Sequence, residues 1–247
     1  MTLVAIHQPN FFPWLGYFDK IAKADVFVFL DHVQFPKKGG VWTNRVKLLI
    51  GGSPTWCTAT INRQYHGTRK INEMTFLQGN PWREKMLKSL EHEYKKHPFF
   101  SEVVRVVGPL LLNPENGIAD YNIQAITELA KAVGLNTEKM KRSSQYSVDG
   151  ASNEMLCTLT RALGGDVYIC GGGAESYQED EKFAAQEIGL QYQNFVQPMY
   201  PQKSQASFVP GLSIIDILMN QGFEWVKSWL NKDLDIQNSN FLAAKSK

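Results

Sequence analysis

The sequence predicts an α/β fold: a mainly parallel sheet with flanking helices, an N-terminal βαβ unit, a β-hairpin and a helical segment. Three observations predict it. The opening residues run apolar, helical, then apolar again; a hairpin pattern follows around Gly51; and the order helix, Gly-Gly, strand, Gly-rich loop appears around Asp166.

Thr2 to Ile6 reads as a short buried strand. The stretch Gln8 to Pro13 cannot be a regular helix, because Pro9 and Pro13 restrict themselves and their predecessors. Trp14 to Ala24 has helical spacing, with Leu15, Phe18, Ile21 and Ala22 on one face. Val26 to Leu30 ("VFVFL") is rich in β-branched and aromatic residues and predicts a second strand. Strand, helix, strand is the building block of parallel sheets.

Val41 to Leu49 alternates apolar and polar residues, meets a turn at Gly51–Gly52 and is followed by Thr55 to Ile61, a hairpin around "GGSP". Asn80 and Pro81 open a helix from Trp82 to about His97, and another spans Ile118 to Val133 before Gly134. The polar segment "TEKMKRSSQYS" is expected to be a surface loop. Ser152 begins a helix that Gly164 and Gly165 close, and Asp166 to Cys170 is a strand entering "GGGAESY". A helix through Phe183 and Ile188, a strand "QYQNF" and an extended "QPMYPQ" come next. Ser213 opens "SIIDILMNQG", with Asp216 in the capping-box position and Gly222 at the exit. A single α/β domain over residues 1–232 is expected, within which residues of about 80–150 could form a helical subdomain; residues 233–247 read as a polar tail.

Composition narrows the function classes. The 247 residues suffice for a proper core, and 43% hydrophobic with 20% charged residues is ordinary for a folded soluble chain. Twenty-six basic against 24 acidic residues leave a formal charge of +2, so no global field calls for nucleic acid. The local cluster Lys37, Lys38, Arg45 and Lys47 matches a small anion better than a polynucleotide. Cys57, Cys157 and Cys170 are far apart and form no CxxC pair, so neither a disulfide framework nor a zinc site is expected. No basic n-region opens the chain and no run of 18 apolar residues occurs, so a cytoplasmic protein without a membrane span is expected.

Four constellations carry chemistry. His7 and Asp31 end the two predicted strands, which places both on the edge where parallel sheets collect ligands. A histidine there can act as general base and an acidic residue can orient it; a capping Asp and a hydrogen-bonded structural His are the plainer alternative. Gln8, Asn10 and Gln34 lie close by as polar contacts. In "PKKGGVWTNR", Lys37, Lys38, Asn44 and Arg45 offer donors to a phosphate or carboxylate. In "CGGGAESY", Gly171, Gly172 and Gly173 would let backbone N–H groups approach an anion, with Tyr177 beside them. That loop fits neither GxGxxG nor GxxxxGKS, and Cys170 has no histidine nearby in sequence to activate it. Gln202 sits in an irregular segment too polar for core.

"HQPNFFPWLGYFDKIAKADVFVFLDHVQF", "VWTNRVKL", the glycine loop after "DVYIC" and "FVPGLSIIDILMNQG" together resemble the WbqC-like family of bacterial proteins, over nearly the whole chain. Members are associated with O-antigen and other surface-polysaccharide gene clusters. The resemblance implies cytoplasmic work on activated sugars before polymer export. Strand one and "PNFFPWLGYFDKI" also have the layout of HxGH nucleotidylyltransferases, but Trp14 and Tyr17 stand where the two histidines would be. Adenylyl transfer is therefore not expected.

The favoured expectation is a transferase modifying a nucleotide-linked, often amino, sugar by N-acylation or aminoacylation. His7 would be its base and Asp31 the orienter, the donor would be an acyl or aminoacyl carrier, and no metal is expected. A glycosyltransferase of the same pathway is the first alternative. Such enzymes often hold a metal with an Asp-x-Asp pair, and "EDE" at Glu179 to Glu181 is a poor substitute. A non-catalytic sugar- or partner-binding protein is the second.

Overall fold

The structure is a computed structural model that describes residues 1–36, 41–148, 152–171, 180–203 and 207–245, with side chains described through residue 232. The elements run β1 (Leu3–His7), α1 (Leu15–Lys23), β2 (Val26–Phe29), β3 (Arg45–Ile50), β4 (Ser53–Thr58), α2 (Trp82–Tyr94), α3 (Phe100–Leu112) and α4 (Ile118–Ala132). They continue with β5 (Met140–Arg142), α5 (Ser152–Ala162), β6 (Val167–Cys170), α6 (Asp180–Ala184), β7 (Gly189–Tyr192) and α7 (Ile214–Lys245).

Five strands form one sheet in the order β5-β2-β1-β6-β7, and every pairing is parallel. The expected βαβ unit is present, with His7 opposite Phe29 in the β1–β2 register. Alternate side chains divide the core between the two faces. Ala5, Phe27, Phe29 and Ile169 join α1, α4 and the first half of α7 on one side. Val4, Ile6, Val28, Tyr168 and Cys170 pack against Met155, Leu159 and Phe183 on the other. Burial on both faces explains the near-continuous apolar strands.

The hairpin β3–β4 forms a separate antiparallel pair, turned by Gly51 and Gly52, both at positive φ. It starts later than the alternation suggests because Val41 to Asn44 turn before pairing begins. Gly222 interrupts α7 with φ of 78°, and a Cβ there would lie 2.6 Å from the Phe99 ring.

Three segments differ from expectation. Helix α3 was not anticipated; Val103, Val107 and Leu111 form its buried stripe, but Gly108 and Pro109 punctuate the sequence pattern. The "TEKMKRSSQYS" segment is no plain surface loop, since it supplies edge strand β5 and the fully buried Ser143. A three-residue strand is too short to show a period. Strand β7 also lies two residues earlier than "QYQNF".

Candidate functional site

The strand order reverses at β1: the chain leaves it for β2 on one side and later returns to β6 and β7 on the other. Gln8 to Pro13 leave β1 at this point beside Gly171 at the end of β6, and such a reversal is the usual ligand position in parallel sheets. A cavity of about 800 Å³ lies at this point, lined by His7, Lys20, Trp14, Trp42, Asn153 and Gly171 among others. Its size suits a small-molecule ligand. A smaller cavity of about 410 Å³ lies between the end of α2 and the β3–β4 turn, near His97 and Lys203.

The wall formed by Gln8 to Pro13 is clamped from three elements. The Asn122 amide on α4 donates to the carbonyls of Pro9 (2.8 Å) and Thr43 (2.7 Å). The Phe11 N–H donates to Trp42 (2.7 Å), and the Ser213 hydroxyl donates to Phe12 (2.7 Å). Phe12, fully buried with φ of 41°, keeps this left-handed conformation because those contacts over-determine it. Gly16 leaves room for the ring of Phe195 and the Trp14 indole, which a Cβ would meet at 3.0 and 2.6 Å.

His7 projects from the end of β1 with the rings of Trp14 and Tyr17 around it. Its Nδ1 lies 3.0 Å from the carbonyl of Gln8, which can only accept. Nδ1 therefore carries the proton, and Nε2 keeps a lone pair. Burial, helped by the Lys20 charge, pushes the imidazole down to about 3, so His7 is neutral across the physiological range.

Lys20 is the residue that sequence reasoning missed. It lies on α1, 3% exposed, with its ammonium 3.3 Å from the Ile6 carbonyl and 5.7 Å from the Tyr168 ring centroid. Burial pulls it down to about 8, while the neighbouring Cys170 pulls it back up. No carboxylate among the described residues pairs with it, whereas the next basic residue, Lys23, bonds Asp19 at 2.8 Å. A lysine inside a helical pattern reads from sequence as a solvated face. Only the packing of α1 between β1 and α7 turns it inward.

Asp31 is fully buried, but its carboxylate is engaged away from His7. It accepts from Ser143 Oγ (3.0 Å), the Ser144 amide (2.9 Å) and hydroxyl (2.7 Å), and Arg142 Nε (3.0 Å). Burial pushes its carboxyl up, yet the bonds from Ser144, Arg142 and Ser143 prevail and hold it below the ordinary carboxylate value. Its arrangement ties the end of β2 to the end of β5.

Of the other candidates, Gln8, Asn10 and Gly171 line the cavity with His7. Asn44 is buried and donates to Ala59 (3.1 Å), and Arg45 stacks on Trp56 with its guanidinium carbon 4.0 Å from the ring centroid. Gln34 is exposed and bridges Lys70, while Gln202 brackets Val209 with two bonds; neither lines the cavity. Lys37, Lys38, Gly172, Gly173 and Tyr177 lie outside the described residues. Asp216 is a buried anchor, accepting from Tyr94 and Tyr200 at 2.7 Å each, and burial raises its carboxyl. Among the described residues no three His, Cys, Asp or Glu gather as a metal-holding group, and no helix is long and apolar enough to cross a membrane.

The sequence pattern of the WbqC-like protein family matches residues 8–228. An uncharacterised protein of Mycobacterium tuberculosis is 28% identical over 227 residues, covering 91% of this chain and 96% of the relative. No solved structure matches.

Proposed function

This chain belongs to the WbqC-like protein family, and from that premise we propose that it is a transferase acting on a nucleotide-activated amino sugar, joining an acyl group to the sugar nitrogen in the cytoplasm. The observation that carries the reading is Lys20: a cavity-lining ammonium buried without a carboxylate partner among the described residues. Buried charges are costly unless paired, so an anionic ligand completes this one. Ser152 and Asn153 at the start of α5 line the same cavity, and helix N-termini favour phosphate. A diphosphate on Lys20 and α5 would set the attached sugar among Gln8, Asn10 and His7.

In the transfer the sugar nitrogen attacks the acyl carbon, the bond to the donor's leaving group breaks, and His7 Nε2 takes the amine proton. Burial is the main cause that lowers His7 and the Lys20 charge the second; the bound diphosphate offsets the second and so makes the imidazole a better base when substrate is present. Asp31 supports the site through β5 rather than by orienting His7. General-base assistance contributes about 100- to 10,000-fold.

The test is incubation with nucleotide-linked amino sugars and acyl-coenzyme A donors, read by product mass. The expected result is a nucleotide sugar heavier by the acyl group, lost with His7→Gln. Ligand-induced stabilisation without any product would make the protein a binding module. Metal-dependent transfer of the sugar itself would make it a glycosyltransferase.

A further inference from the structure

An aromatic path leads outward from the cavity. The His7 and Trp14 rings are 5.9 Å apart, Trp14 and Trp42 are 5.4 Å apart, and Trp42 and Trp56 are 5.0 Å apart between centroids. Trp42 lines the cavity, whereas Trp56 lies beyond it on β4, and each is 37% exposed. Their planes meet at 64°, so the two indoles form a corner rather than a sealed stack. Trp56 pairs with Lys47 across the hairpin, and both Arg45 (4.0 Å) and Lys47 (5.0 Å) stand over its ring.

Two half-exposed indoles at the mouth of a ligand-sized cavity leave apolar surface in water that core packing has not claimed. The cations over Trp56 hold that ring in place and add positive charge to the rim. A ligand with a flat π-face close to a phosphate meets both features at once. We propose that the Trp42–Trp56 corner is the nucleobase subsite of the nucleotide-sugar ligand, with the base stacked at the rim and the diphosphate reaching inward to Lys20. The inference rests on the proposed function, because it assumes that the ligand is a nucleotide. A free sugar phosphate would use Lys20 and leave the corner empty.

The experiment titrates uridine, thymidine, guanosine, adenosine and cytidine diphosphates and inorganic pyrophosphate into wild type, Trp56→Ala and Trp56→Phe by calorimetry. Stacking of one base on an aromatic side chain corresponds to about 5- to 150-fold in affinity. Trp56→Ala should weaken the best nucleoside diphosphate by that factor and leave pyrophosphate unchanged, and Trp56→Phe should restore most of the loss. Trp56 sits on an exposed strand, and unchanged pyrophosphate affinity doubles as the check that the variant is folded. Equal nucleoside diphosphate affinity in wild type and Trp56→Ala overturns the subsite alone. Pyrophosphate binding to wild type without tighter binding of any nucleoside diphosphate also overturns it. Failure of every nucleotide and of pyrophosphate to bind wild type overturns the proposed function with it.

Discussion

Lys20 donates to the carbonyl of Ile6 across 3.3 Å, one long bond for an ammonium that is 97% removed from solvent. A group so placed weakens the unliganded protein and strengthens the liganded one. Lys20→Met keeps the stem and removes the charge. Its unliganded melting temperature should match or exceed that of wild type, since replacing buried charge by apolar volume is often neutral or stabilising. A fall of many degrees in a thermal scan would instead make Lys20 a structural residue.

Ligand affinity should depend on pH through the same group. With Lys20 at about 8 in the free protein, binding of an anion is level below that pH and weakens above it as the ammonium deprotonates. Calorimetric titrations from pH 6 to pH 10 check this, and the Lys20→Met variant should show no such break.

His7 sets a stability signature of the opposite sense. Its folded value of about 3 lies below the ordinary 6.5, so the unfolded chain binds more protons between those values. Stability therefore rises with pH from 3 to 6.5 on this account and levels off above. Denaturant midpoints for His7→Gln should rise less steeply over that window than those of wild type. Superimposable profiles would mean that His7 titrates normally.

Asn122→Leu removes two donors at once and strands the carbonyls of Pro9 and Thr43. Unpaired buried acceptors cost roughly 1–3 kcal/mol each. The midpoint in urea should fall accordingly, and ligand affinity should fall with it, because the two loops it joins form one cavity wall. A stable variant with native affinity would show that Phe11 and Ser213 hold the wall unaided.

Asp31→Asn separates support from catalysis. The variant loses charge-assisted bonds to Arg142 and Ser144, of roughly 1.5–3 kcal/mol. Urea unfolding should show that loss, while turnover per folded molecule stays within about threefold of wild type. A loss on the scale of general-base catalysis, about 100-fold or more, would return Asp31 to the role of orienter.

The main sheet was legible because its strands announce themselves: β1, β2 and β6 are apolar on both faces, Pro9 stops the chain just after β1, Asp25 and Asp31 bound β2, and glycines flank β6. That placed His7 at the ligand edge from sequence alone. The partners of Asp31 were not legible, because Ser143 and Ser144 are 112 and 113 residues away and sit in a segment too polar to look like core. Lys20 was hidden for a different reason. Helical periodicity marks Leu15, Phe18 and Ile21 as inward, but the whole of α1 is buried, so its charged residues face inward as well. The clamp on Gln8 to Pro13 depends on Asn122 of α4, Trp42 and Ser213, whose contacts no local pattern reveals.

The most direct test of the central claim, that an anion completes Lys20 inside the cavity, is calorimetric titration of inorganic pyrophosphate into wild type and Lys20→Met at pH 7. The account predicts saturable one-site binding to wild type and at least tenfold weaker binding to the variant. Equal affinity in the two proteins, or no binding to wild type, would contradict it.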